Sequence, residues 1–209
     1  MFTDLSLSDI VIVILSILFS MGIHEAMHAF TAHWLGDTTA RDMGRLTLNP
    51  LKHIDLYTTI LLPVVLILLH VQPIFVAKPV PFNPNRVKFD EYGAALIGIA
   101  GPLTNIVLAT IAALLLRFTA LSSSAGITNV LILFTEVNIA FFVFNMIPIP
   151  PLDGSRLLYA FAPEPLQRVM YSIESAGFAT VIVFLLVFVW FFSPVLVSIN
   201  THVLQFLLG

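Results

Sequence analysis

His24, Glu25 and His28 stand as H-E-x-x-H inside a long apolar stretch, and those residue types at that spacing point to metal chemistry. On an α-helix, positions i and i+4 project from one face about one turn apart, so both imidazoles can reach a single ion, while Glu25 sits about 100° further round. There it can touch a water on the metal without being a ligand. Zn²⁺ in such a site lowers the pKa of water towards 7 and polarises a carbonyl, and the Glu takes the proton as attack proceeds.

A two-His site that keeps one position open for water needs a third protein ligand. The chain has no cysteine, which excludes thiolate ligands, disulfides and a Cys nucleophile and leaves His, Asp and Glu. The best candidate is Asp153, at the end of Asn145-Met146-Ile147-Pro148-Ile149-Pro150-Pro151-Leu152-Asp153-Gly154. Three prolines forbid a continued helix there, and Gly154 lets the backbone turn tightly. Broken backbone at membrane depth is tolerated only where protein or water buries it, and a carboxylate at that depth needs a partner. The competing reading of Asp153 is a helix N-cap for the turn that follows.

Composition defines the surroundings. Hydrophobic residues make up 58% of the 209 and charged residues 10%, with a mean hydropathy of +1.00, so this is an integral membrane protein held in a lipid bilayer. The first apolar run is too long for a secretory leader, lacks a basic start and carries the motif, so it is read as a retained span. A net charge of −3 with no basic stripe gives no sign of nucleic-acid binding.

The fold class that follows is an all-α polytopic membrane protein, a single membrane-embedded domain over 1–209. Four stretches can cross about 30 Å at 1.5 Å per residue: 8–35, 92–118, 128–147, and 176–192 or somewhat beyond. A fifth run, 57–71, is apolar but short and holds Pro63; it is either re-entrant or an additional span. If it dips in and returns, eight of the nine basic residues fall on one side, namely Arg41, Arg45, Lys52, Lys78, Arg86, Lys88, Arg156 and Arg168, with Arg117 opposite. That asymmetry marks the cytoplasmic face and is lost if the run crosses. Parity agrees. His28 lies eight residues before Gly36, about 12 Å beneath that face, and only the re-entrant reading brings Asp153 to the same leaflet. The loops carry weak strand character at 38–48 and 74–82; residues 195–208 either finish the last span or lie along the interface.

Four landmarks in order now resemble the site-2 protease family of intramembrane zinc metalloproteases, peptidase family M50. They are His24 through His28, Gly44-Arg45-Leu46-Thr47-Leu48-Asn49-Pro50, Ala100-Gly101-Pro102-Leu103-Thr104-Asn105, and Asn145 through Gly154. The resemblance covers nearly the whole chain. It implies that His24, His28 and Asp153 bind one Zn²⁺ per chain, that Glu25 is the general base and acid, and that Asn145 holds substrate or the oxyanion. The implied substrate is a transmembrane protein or peptide, cut in or near its membrane segment, and the implied location is a prokaryotic cell membrane with the site towards the cytoplasmic leaflet. With no room for a PDZ or CBS domain, the chain resembles the core-only branch of the family.

Plainer roles stand beside these. Asn145 can instead satisfy backbone groups freed by the broken helix. Gly98, Gly101 and Asn105 suit close helix packing and interhelical hydrogen bonds, with Asn105 also placed to brace the metal site. His33 is turned about 180° from His24 on the helix, and His53, His70 and His202 sit at loop ends where interfacial solvation suffices. His53, just after Asn49-Pro50, is the one of these that could enter the chemistry. A metal-binding carrier or channel without hydrolysis is the alternative function; it calls for polar groups through both leaflets, whereas this cluster lies near one face.

Overall fold

Ser6 opens the first helix, α1 (Leu7–Trp34), with a capping box: its hydroxyl accepts from the Asp9 N–H and its own N–H donates to the Asp9 carboxylate. After Trp34 the chain turns out of α1 at Gly36, whose φ of 104° lets the Gly36 and Asp37 N–H groups fold back to the His33 and Ala32 carbonyls at 3.1 and 2.9 Å. The structure, a computed structural model, describes residues 6–68, 77, 78, 80–118, 124–175 and 178–208. Four of its helices are long and apolar enough to cross a membrane, and no strand forms among the described residues.

Past α1 the chain makes an excursion that leaves and rejoins one end of that helix. Asp37 is fully buried; one carboxylate oxygen accepts from the Thr39 N–H and the other from the Asn83 N–H, at 3.0 and 2.6 Å. This local capping tightens the next residues into a single helical turn, α2 (Thr39–Asp42), where the sequence pattern suggests strand character. The chain then descends along α1 until Pro50, in the 3₁₀ turn Pro50–Lys52, lies against Gly22. Gly22 precedes Trp34 by 12 residues, so this contact sits about 18 Å below the end of α1. A side chain at Gly22 would place its Cβ 2.6 Å from the Pro50 Cβ, so glycine is what permits the approach.

Asp55 then caps a π-helical turn, Leu56–Leu61, which leads into α3 (Leu62–Leu68). This apolar piece is shorter than a span; residues 69–71 of the run, and 74–76 and 79 of the second strand-like stretch, lie outside the described residues. The return path is fastened at three points. Lys78 N–H donates to the His53 carbonyl at 2.9 Å, the Arg45 guanidinium donates to the Lys78 carbonyl at 3.2 Å, and Lys88 N–H donates to the Leu35 carbonyl at 2.9 Å. The described return path thus comes back to the C-terminal end of α1, where the excursion began.

Helices α4 (Asp90–Phe118) and α5 (Ala125–Asn145) pack against α1 through small residues, among them Ala26, Ala29, Ala32 and Ala109, all fully buried. After α5 comes the proline-broken turn, then α6 (Gly154–Phe161) and α7 (Glu164–Ser175). Arg156 joins these pieces: it pairs with Glu174 at 3.3 Å, and its guanidinium lies 5.6 Å from the Phe82 and Tyr159 ring centres. Finally α8 (Phe178–Leu208) runs unbroken through Pro194. Residues 195–208 therefore continue the last helix, a proline inside a membrane helix being tolerated where its surroundings meet the freed carbonyl.

Candidate metal centre

The α1 helix presents both imidazoles on its inner face, 6% and 7% exposed. Their Nε2 atoms are 3.0 Å apart, and Asp153 Oδ2 lies 2.9 Å from that of His24 and 3.3 Å from that of His28. Ligand atoms around tetrahedral zinc stand about 3.3 Å from one another when each bond is near 2.0 Å, so these three atoms form one face of such a polyhedron. Two neutral imidazoles and a carboxylate also make a donor set that zinc accepts. Among the described residues no other group of three His, Asp or Glu brings ligand atoms so close.

Asp153 reaches this place because α5 stops at Asn145 and the turn folds back beneath α4. It occupies the residue before α6, yet its side chain makes no capping bond; it faces the imidazoles instead, which decides against the N-cap reading.

One stripe of α4 receives the cluster. Gly98 lies against the Asp153 carbonyl and the Arg156 stem, and a Cβ on Gly101 would lie 2.5 Å from both imidazole Nε2 atoms. The space beside the three donors is therefore a hollow that a single methyl group would fill. The far side of each ring is also anchored on α4: His28 Nδ1 lies 2.6 Å from the Ile97 carbonyl, and His24 Nδ1 lies 2.5 Å from Asn105 Oδ1. Carbonyl oxygens only accept, so each Nδ1 carries a hydrogen, and in the neutral ring that a metal ion requires the Nε2 lone pair faces inward. Asn105 thus both packs and braces.

Glu25 is half-buried, and its Oε2 accepts from the Val80 N–H at 3.1 Å. Asn145 is not brought to the cluster by any hydrogen bond: it closes α5, and its amide donates to the Phe141 carbonyl of its own helix at 3.0 Å. His53 differs from the solvated loop-end residue that its position suggests. It is fully buried, its Nε2 pairs with the Thr47 carbonyl at 3.0 Å, and its own carbonyl holds Lys78, because the excursion folds inward along α1 rather than over its end. His202 bonds within its helix to the Ser198 carbonyl, His33 is not among the three clustered residues, and His70 lies outside the described residues.

Sequence reasoning missed four contributors: Val80, Ile97, Asn138 and Ser20. Asn138 and Ser20 carry a readable signal, polar side chains inside apolar spans, but nothing in the sequence names their partners. Val80 and Ile97 act through backbone atoms and carry no signal at all.

Residues 118–189 match the family model described as Peptidase family M50. The protein named "Putative zinc metalloprotease YwhC" of Bacillus subtilis (strain 168) is 36% identical over 196 residues, covering 90% of this chain and 84% of its own. "Putative zinc metalloprotease Rip2" of Mycolicibacterium smegmatis is 30% identical over 193 residues, 88% of this chain and 71% of its own. No solved structure matches the chain at a significant level. At that identity and coverage, with the H-E-x-x-H helix and Asp153 meeting in space, the chain belongs to peptidase family M50, the site-2 protease family.

Proposed function

We propose that this chain is an intramembrane zinc metalloendopeptidase that hydrolyses a peptide bond in or near a transmembrane segment of another membrane protein. The observation that carries the reading is the meeting of His24, His28 and Asp153 in a buried hollow between membrane-length helices. In this reading the three residues hold one Zn²⁺ per chain, which when bound supplies a Lewis acid that acidifies water and polarises the scissile carbonyl.

The remaining steps belong to the protein. Glu25, about 100° round α1 from the ligands, takes the proton of the attacking water and delivers it to the departing amine. The Val80 N–H holds Oε2 in place and leaves Oε1 free for that transfer. Asn145 can donate to the developing oxyanion only by releasing the Phe141 carbonyl, so its role is conditional on substrate entering. We read the site as lying towards the cytoplasmic leaflet of a prokaryotic cell membrane, a reading supported by the uneven distribution of basic residues along the sequence.

The test uses the purified chain in liposomes with candidate single-span substrates. Glu25→Gln is expected to keep zinc while turnover falls about 10²- to 10⁴-fold, and a chelator should stop the wild type. Full turnover by Glu25→Gln removes Glu25 from the mechanism. Stoichiometric zinc with no cleavage of any substrate favours the carrier.

A further inference from the structure

Three polar side chains from three helices lie fully buried in line behind His24: Asn105 on α4, Asn138 on α5 and Ser20 on α1. Asn105 Nδ2 donates to Asn138 Oδ1 at 2.9 Å, and Asn138 Nδ2 donates both to Ser20 Oγ at 2.8 Å and to the Phe134 carbonyl at 2.9 Å. The Phe134 carbonyl is the fixed point, because a backbone oxygen only accepts and cannot turn round. It requires the amide nitrogen of Asn138 on its side. The Asn138 oxygen must then face Asn105, which turns the Asn105 nitrogen towards it and the Asn105 oxygen towards His24.

A flipped Asn105 would aim its N–H₂ at His24 Nδ1, where only a ring bearing its hydrogen on Nε2 could accept. That form has no lone pair left on Nε2 for a metal ion. Away from water, nothing else would compensate a reversed link in the line.

We infer that Asn138, secured by the Phe134 carbonyl and Ser20, is a positioning residue that sets the tautomer of His24 through Asn105 and thereby the metal affinity of a site it does not touch. The inference rests on the zinc reading above. His28 needs no such device, since the Ile97 carbonyl fixes it directly.

The test measures zinc affinity of the purified full chain by chelator competition, with the visible absorption of the Co²⁺ form reporting ligand geometry. Asn138→Leu is expected to weaken zinc about 10- to 100-fold, the range for residues that orient a ligand, and to alter the Co²⁺ spectrum. Adding Asn105→Asp to Asn138→Leu should restore at least tenfold of that loss, because a carboxylate offers His24 an acceptor whichever way it turns. A merely structural role predicts the reverse, since a second buried charge would weaken the fold further. Wild-type affinity in Asn138→Leu, or no recovery in the double variant, overturns the inference. Should Asn138→Leu not fold, Asn105→Asp binding zinc at least tenfold more tightly than Asn105→Leu is expected, and equal or weaker binding overturns it. A wild-type chain that takes up no zinc would overturn the reading of the site itself.

Discussion

Gly101→Ala tests the space beside the proposed metal ligands with a single added methyl group. The new Cβ would stand 2.5 Å from His24 Nε2 and from His28 Nε2, whereas non-bonded heavy atoms settle near 3.5 Å. Either α4 or both rings must therefore move by about 1 Å. The rings cannot yield cheaply, because each is held from behind by Asn105 or Ile97; overpacking of this kind costs about 1–3 kcal/mol. A displacement near 1 Å at a reacting centre lowers rate by about 100-fold, and the same displacement should weaken zinc at least tenfold, about 1.4 kcal/mol in binding. The assay is zinc affinity by chelator competition beside cleavage of a single-span substrate and thermal unfolding. Gly126→Ala is the matched control, since nothing lies within 4 Å of that position, and alanine in a helix there should be neutral or stabilising by up to about 1 kcal/mol. A Gly101→Ala protein with wild-type zinc affinity and turnover would refute the placement of the rings against α4.

Asp153→Ala should weaken zinc by more than about 100-fold, beyond what loss of a supporting residue produces, as read by elemental analysis after dialysis; retained stoichiometric metal would remove Asp153 from the ligand set. Gly22→Ala forces the Pro50 backbone, 2.8 Å from the new Cβ at its Cα, off α1 and should cost about 1–3 kcal/mol, with proteolysis between α1 and α3 increasing; unchanged protection would count against the inward path of the excursion. Burial raises the Asp37 carboxyl, but the Thr39 hydroxyl, the Asn83 and Thr39 N–H groups and Arg86 outweigh it and hold the pKa below 3.8. Its stabilisation is therefore complete above that pH and disappears as the pH falls through the lowered value. The stability gap between wild type and Asp37→Asn, about 1–3 kcal/mol at neutral pH, should close below pH 3.8; a gap unchanged at about pH 2 would show that Asp37 acts by shape alone.

What could be read from the residues follows the range of each interaction. The pair His24 and His28 is set by helix geometry within one turn, and Asp153 by prolines that end a helix, so both are local and legible. The four long spans needed only length and hydropathy. The 38–48 stretch misleads because one side chain, Asp37, draws it into a helical turn, and strand propensity is weak against such capping. His53 misleads because its burial depends on Gly22, 31 positions earlier, making room for Pro50. The line from Phe134 to His24 is hidden for a related reason: polar residues in apolar spans announce that partners exist and leave open which helix carries them.

The Asn105–Asn138 bond joins two successive helices, and it has one more effect. Hydrogen bonds between membrane helices contribute about 0.6 kcal/mol on average, enough to prefer one axial sliding position over its neighbours when apolar surfaces alone give little choice. The residues that orient a ligand thus also set the register in which α4 meets α5 during insertion. On the zinc reading, a mis-slid pair would lose its internal anchor and the orientation of His24 together, so one contact serves both assembly and the proposed centre.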